Sequence, residues 1–317
     1  MFFKVECPIE LLELTRVKVV FLGTSGSMPT PERGSSSVAI KMGRNIILLD
    51  CGEGTQRQMV AAHIGFSRIK QLFITHLHGD HILGAPGILQ SMTLQRREEP
   101  LDIYGPVGTH AFLQGVSDAL GGPGFPVTVD ELTEPGRVLD SKGFTVEACR
   151  ADHRGEAWSY AVVEKPRPGR FHPEKARALN VPEGMLWKRL QDGEDVEVGN
   201  KLVKAFDVAD PPRLGRRLVY TGDTRPSEEV TMMATGADLL IHEATFGDEL
   251  IERAAEDGHS TISQAAEVAA KAGVRRLILT HISGRYGDVE PLLEAARRIF
   301  PHTLIASDLL EVEVPLS

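Results

Sequence analysis

Cysteine is scarce in this chain: Cys7, Cys51 and Cys149 are the three in 317 residues. No pair has Cys-x-x-Cys spacing, which argues against a disulfide framework; buried or idle thiols in a reducing cytoplasm are expected. Long apolar runs are missing too. None approaches the ~20 residues a membrane span needs, so no membrane partner is expected. The first residues carry Glu6, Glu10 and Glu13 rather than a basic stretch with an apolar core, which reads as no signal peptide. Positive charge is in deficit, with a net charge of −9. Alone, that disfavours a polyanionic partner, but binding follows local patches, and carboxylates gathered at metal sites inflate the negative count. There is no repeat of fixed period. What remains is ordinary for a folded domain, 42% hydrophobic and 25% charged.

One stretch is far from ordinary. In Thr75-His76-Leu77-His78-Gly79-Asp80-His81, three imidazoles and a carboxylate crowd together after the strand-like Gln71-Leu72-Phe73-Ile74. A helix is expected over 82–97, interrupted by Gly84, Pro86 and Gly87. The cluster therefore sits on a strand-to-helix turn, where α/β proteins place their chemistry. This donor set suits zinc, and also manganese or iron(II). It is too rich for one closed site and too poor for two.

Further strand ends share the same grammar. Asp152-His153 follows a strand at 144–149, Gly222-Asp223 follows one at 217–221, His281 follows one at 276–280, and His259 opens a helix at 262–272. If these ends converge, His76, His78, His153 and Asp223 complete one tetrahedral site. Asp80, His81 and His281 complete a second, with Asp223 reaching both through its two oxygens. Other strands are expected at 17–22, 37–41, 45–49, 101–104, 127–131, 158–163, 238–242, 303–306 and 310–314. Hairpins in the first half and strand–helix alternation in the second favour two mixed sheets packed together with helices outside. The extension at 1–16 has no assigned place.

The order His76-x-His78-x-Asp80-His81, His153, Asp223, His281 resembles the metallo-β-lactamase superfamily. Phe21-Leu22-Gly23-Thr24, Asp50-Cys51-Gly52-Glu53, Ile103-Tyr104-Gly105-Pro106, Thr221-Gly222-Asp223-Thr224-Arg225, His242-Glu243-Ala244-Thr245-Phe246, His259-Ser260-Thr261 and Thr280-His281-Ile282-Ser283-x-Arg285-Tyr286 narrow the resemblance to ribonuclease Z, from about residue 17 onward. That resemblance implies an α/β fold, a metallo-β-lactamase-like αβ/βα sandwich forming a single domain over 1–317. It implies two zinc ions per chain and a homodimer in the cytoplasm. The implied reaction is endonucleolytic removal of the 3′ trailer from precursor tRNA, after the discriminator nucleotide, leaving a 3′-hydroxyl. A metal-bridging hydroxide would attack the phosphorus. Asp80 would ligate and orient or deprotonate that water, and His259 would stabilise the phosphorane or protonate the leaving oxygen. Glu243 either orients His259 or braces its loop.

Residues 164–204 are rich in proline, glycine and charge, and stand where the family inserts a flexible arm that grips tRNA. Over 164–191, Lys165, Arg167, Arg170, Lys175, Arg177, Lys188 and Arg189 outnumber Glu164, Glu174 and Glu183, the local excess that phosphate binding needs. Gly184-Met185 replaces the family's Gly-Pro at the arm tip, and Trp187 is expected to pin the arm's helices rather than stack on a nucleotide. In the loop Pro29-Thr30-Pro31-Glu32-Arg33-Gly34, Pro29 and Arg33 match a family motif tied to sensing a mature CCA end; its lysine and asparagine are absent. Arg33 is expected to contact tRNA. Two other functions fit parts of the pattern: a small-molecule hydrolase with the same metal site, and an RNA-binding scaffold with a structural one. The basic arm argues against the first, and His259, needed by neither coordination sphere, against the second.

Overall fold

The computed structural model describes residues 16–316. Cys7, the acidic residues at 6, 10 and 13, and the extension up to residue 15 lie outside the described residues. Fourteen strands form two seven-stranded sheets. The first runs in the order Glu311–Val314, Val17–Gly23, Ser37–Met42, Asn45–Leu49, Ile69–Phe73, Leu101–Pro106, Val127–Leu132. It is antiparallel through Asn45–Leu49 and parallel beyond. The second runs Thr303–Ile305, Leu277–Thr280, Leu239–Glu243, Arg217–Tyr220, Trp158–Glu164, Phe144–Arg150, Gly136–Asp140, and its first four strands are parallel.

Aromatic residues join the inner faces. Phe73 stacks on Tyr104 at 4.7 Å and meets Tyr160 of the other sheet at 5.2 Å. Each such pair contributes about 0.5–1.5 kcal/mol beyond area burial. The Tyr160 hydroxyl donates to the Ile74 carbonyl (2.7 Å), which satisfies a polar tip inside the core. Helices cover the outer faces. Thr55–Ala61, Ala85–Leu94 and Thr109–Leu120 lay Met59, Ile88, Leu89, Met92 and Leu113 over the first sheet. Ile262–Ala272 buries Ile262, Ala265, Ala266, Val268 and Ala269 over the second. That helix starts at a capping box, in which Thr261 and Gln264 satisfy each other's amides, and stops at Gly273 in the left-handed region (φ 62°).

Two local expectations change. The helix expected over 82–97 is two pieces, Gly79–Ile82 and Ala85–Leu94. The break falls at Gly84, whose amide donates to the Cys51 carbonyl (2.8 Å) and where a side chain would stand 2.0 Å from the Gly52 carbonyl oxygen. The strand Gly136–Asp140 escapes the sequence pattern because it is an exposed edge with no apolar alternation.

Residues 163–216, with 141–145, form a second compact unit that takes in 164–204. It holds helices Pro173–Ala178, Met185–Gln191 and Ala205–Val208, and the hairpin Val196–Val198/Lys201–Val203. Ala176, Val181, Leu190, Val196, Val203 and Val208 make its core. Trp187 packs on that core, donating to the Val181 carbonyl (3.0 Å) with Phe171 at 5.2 Å, so it ties the helices together. The unit also buries an ion pair between Glu164 and Arg216, Oε2 to Nε 2.8 Å. Arg177 pairs with Glu183 and Arg189 with Glu194, each at 2.9 Å, and Arg167 pairs with Glu164. Arg177, Arg189 and Arg167, read as phosphate contacts, therefore already face carboxylates. The first two pairs are exposed, and such pairs are weak enough to exchange for a phosphate.

Candidate metal centre

Six strand ends on one rim supply the site. Asp50 follows Asn45–Leu49, the histidine cluster follows Ile69–Phe73, and His153 follows Phe144–Arg150. Asp223 follows Arg217–Tyr220, Glu243 ends Leu239–Glu243, and His281 follows Leu277–Thr280. The tight turns are strained. Asp50 and His281, neither a glycine, have φ of 55° and 58°. Gly222 lies at φ 59° against Thr75, whose Cβ would be 2.7 Å from an added side chain.

Two groups of donor atoms face each other. His76 Nε2 and His78 Nδ1 are 2.9 Å apart, His153 Nε2 is 3.3 Å from His78 Nδ1, and Asp223 Oδ2 is 3.6 Å from His76 Nε2. In the second group, His81 Nε2 and His281 Nε2 are 3.3 Å apart, and Asp80 Oδ2 lies 3.5 and 3.3 Å from them. Asp223 Oδ1 is 3.5 Å from His81 Nε2 and 3.4 Å from His281 Nε2. Donors at ~2.1 Å on a tetrahedron around zinc stand about 3.4 Å from one another, so the spacing fits. So does a deficit: Asp223 Oδ1 is buried with no hydrogen-bond partner, a costly state for an oxygen that nothing else satisfies.

Outer partners aim the imidazoles inward. His81 Nδ1 contacts Asp50 Oδ2 (2.7 Å), His153 Nδ1 the Gly258 carbonyl (2.7 Å), and His281 Nδ1 the Thr245 hydroxyl (2.8 Å). Asp50 is fully buried and also accepts from Thr75 N (2.7 Å) and the Tyr220 hydroxyl (2.8 Å). Burial pushes the His76 and His153 pKa values down, which leaves both rings neutral and able to ligate. Burial would raise the Asp223 pKa, but His281 and His81 outweigh it and hold the carboxylate ionised.

His259 stands beside these groups on a cleft of about 660 Å³, lined also by His78, Asp80, Met28, Phe246 and Arg285. Its Nδ1 donates to Glu243 Oε1 (2.9 Å). Glu243 Oε2 accepts from the Thr245 amide (3.0 Å) and hydroxyl (2.8 Å). Burial opposes charge on His259, but Glu243, and then Asp223, raise its pKa to about 9. The structure thus brings together all seven ligand candidates with His259 and Glu243. His259 also lies within reach of Asp223 and His281 as a third possible donor group. Arg33 is turned inward: its Nη1 donates to Thr24 Oγ1 (2.7 Å) and the Ala306 carbonyl (2.6 Å). The basic residues at 165–189 belong to the second compact unit, and none is a ligand candidate. Sequence reasoning gave no role to Asp50 or Thr245. Asp50 shares the strand-end grammar that marked Asp223, and that signal could have found it.

Residues 187–282 match a family model for a beta-lactamase superfamily domain, and residues 17–113 match one for the anti-Pycsar protein Apyc1. The ribonuclease Z of Methanosarcina acetivorans is 45% identical over 301 residues, covering 94% of this chain and 98% of that protein. Among solved structures, the short form of human tRNase Z aligns with TM-score 0.71 at 29% identity, over 94% of this chain and 100% of the other. A metallo-beta-lactamase fold protein of Bacillus subtilis aligns with TM-score 0.68 at 19% identity, over 94% and 99%.

Proposed function

Because this chain belongs to the ribonuclease Z family, a family of nucleases with the metallo-β-lactamase fold, we propose that it is the endoribonuclease that matures the 3′ end of tRNA, using two zinc ions. It removes the trailer after the discriminator nucleotide and leaves a 3′-hydroxyl. The observation that carries the metal reading is Asp223, whose Oδ2 belongs to one donor group and Oδ1 to the other. His76, His78, His153 and Asp223 would hold one ion, and Asp80, His81, His281 and Asp223 the second. When bound, two such ions make water acidic enough to ionise near neutrality and offset charge on a phosphate under in-line attack.

The chain's own residues do the rest. Asp80 orients the attacking water through the carboxylate oxygen that does not ligate. His259, with Nδ1 committed to Glu243, has Nε2 left for the substrate. As an imidazolium it stabilises a charged phosphorus centre and supplies a proton to the departing oxygen. Residues 164–204 serve as the arm that holds the body of the tRNA, through Lys165, Arg167, Arg170, Lys175, Arg177, Lys188 and Arg189. The protein works in the cytoplasm as a homodimer, in which the arm of one subunit can hold a tRNA whose 3′ end enters the partner's site. Among the described residues no helix is long and apolar enough to cross a membrane.

The test is to map the cut on an unprocessed tRNA transcript to single-nucleotide resolution. One cut after the discriminator, ending in a 3′-hydroxyl, is expected. Scattered cuts, or hydrolysis of a small phosphodiester only, would refute the assignment.

A further inference from the structure

Residues 27–30 of the loop 27–33 line the cleft, and hydrogen bonds tie the loop at its neck to the fold and at Ser27 to a ligand candidate. At its tip, Met28 is 75% exposed over the cleft. Next to it Ser27, in the left-handed region at φ 61°, donates its amide to Asp80 Oδ2 (3.0 Å). The neck of the loop closes through Ser25 N to the Gly34 carbonyl (2.9 Å) and Thr30 N to the Arg33 carbonyl (2.8 Å). Two charged side chains grip that neck from below. Asp308 accepts the Gly34 amide (2.7 Å) and Gln58 Nε2 (2.5 Å) on Oδ2, and the Thr24 hydroxyl (2.7 Å) on Oδ1. Arg33 donates to that same Thr24 oxygen and to the Ala306 carbonyl. Thr24 is fully buried, so the two charged groups meet on one shared hydroxyl.

We propose that Arg33 and Asp308 act as one clamp that fixes the loop 27–33 and, through the Ser27 amide, holds the Asp80 carboxylate in position for the metal. They are positioning residues, and Arg33 on this reading is a brace for the cleft wall rather than a contact with RNA. The geometry favours this because the Nη1 nitrogen of Arg33 is already engaged by oxygens inside the fold. An unrestrained left-handed serine would relax toward the ordinary β or α regions and take its amide away from Asp80. The inference rests on the reading of Asp80 as a ligand given above.

Arg33→Met and Asp308→Ala separate a brace from a phosphate contact. Each is expected to lower kcat on precursor tRNA by about 10-fold, the lower end of what losing an outer partner of a metal ligand costs, because each displaces the Ser27 amide that is that partner. Each should speed zinc release to a chelator by a similar factor. KM and the salt dependence of tRNA binding should stay as in the wild type. The double variant should be no worse than the worse single one, because one clamp is broken once. A raised KM with kcat kept, and a salt slope flatter by about 0.7 to 0.9 for Arg33→Met alone, would make Arg33 a phosphate contact and overturn the proposal. Additive losses, or unchanged zinc release in both variants, would overturn it too. If Arg33→Met does not fold, Asp308→Asn, which keeps the side-chain shape, is read by the same criteria. Failure of the substrate reading would show separately, as a wild-type enzyme that leaves precursor tRNA intact, and zinc release would still decide the clamp.

Discussion

His259, which lines the cleft, forms a buried pair with Glu243, Nδ1 to Oε1 2.9 Å. The carboxylate keeps the imidazole protonated well above neutrality, with a pKa of about 9. A group that must be protonated to act loses activity as pH rises through its pKa. The basic limb of the pH–rate profile should therefore lie high in the wild type. Glu243→Gln removes the largest influence raising that pKa, so the limb should move to lower pH. His259→Ala should keep its zinc and tRNA affinity while turnover drops about 10²-fold or more. A limb that stays in place in Glu243→Gln would deny His259 the role of acid, and loss of zinc from His259→Ala would make it a ligand.

Asp223 offers a test of the metal assignment that is independent of the substrate. Purified protein should carry about two zinc ions per chain, and Asp223→Ala should lose both, because each donor group loses an oxygen. Native mass spectrometry counts them directly. One zinc held tightly in that variant would show that the carboxylate serves one ion alone.

The centre was legible in the sequence to the extent that its residues follow strands. His76, His78, Asp80 and His81 are close in the chain, and His153, Asp223 and His281 each follow an apolar run. The residues that aim them were not. Asp50 meets Tyr220 across 170 positions, a contact created only when the two sheets pack. Arg33 carried a motif that suggested RNA, yet its direction is set by Thr24 and by Ala306, 273 positions away. The second unit extends to Arg216, past the 204 suggested by composition, because the buried pair with Glu164 closes it from its two chain ends. Composition registers proline and charge but not the partner of a buried ion.

That buried pair makes a prediction about stability. Glu164 is 7% exposed and Arg216 1%. Burial would raise the glutamate's pKa, but Arg216 and Arg167 more than offset it and lower it. A carboxylate with a depressed folded pKa adds stability above its unfolded value, about 4.3, and that stability is lost as pH falls through the folded value. Glu164→Gln should therefore destabilise the protein by about 3 kcal/mol at pH 7, since it takes the carboxylate from a buried guanidinium. The difference from wild type should shrink in acid. Equal urea midpoints for the two proteins at pH 7 would sink this account of the pair.

The arm can be excised where its own backbone closes. Arg167 and Arg213 exchange two hydrogen bonds, N to O 3.0 and 2.9 Å, so a short glycine-serine link between them replaces 168–212 and spares the Glu164–Arg216 pair. None of the ligand candidates lies in the excised segment. Both zinc ions should stay bound, and a small phosphodiester should be cut about as fast as by the intact protein. Precursor tRNA should be cut poorly below saturation, with the loss mainly in KM, because the excision removes ground-state binding and leaves the chemical step. For every phosphate that the shortened protein no longer neutralises, the salt dependence of tRNA binding should flatten by a slope of about 0.7 to 0.9. Loss of activity on both substrates with zinc intact would assign the segment to the active site or the fold. Unchanged tRNA processing would remove the arm as a binding element and leave tRNA recognition to residues outside 168–212.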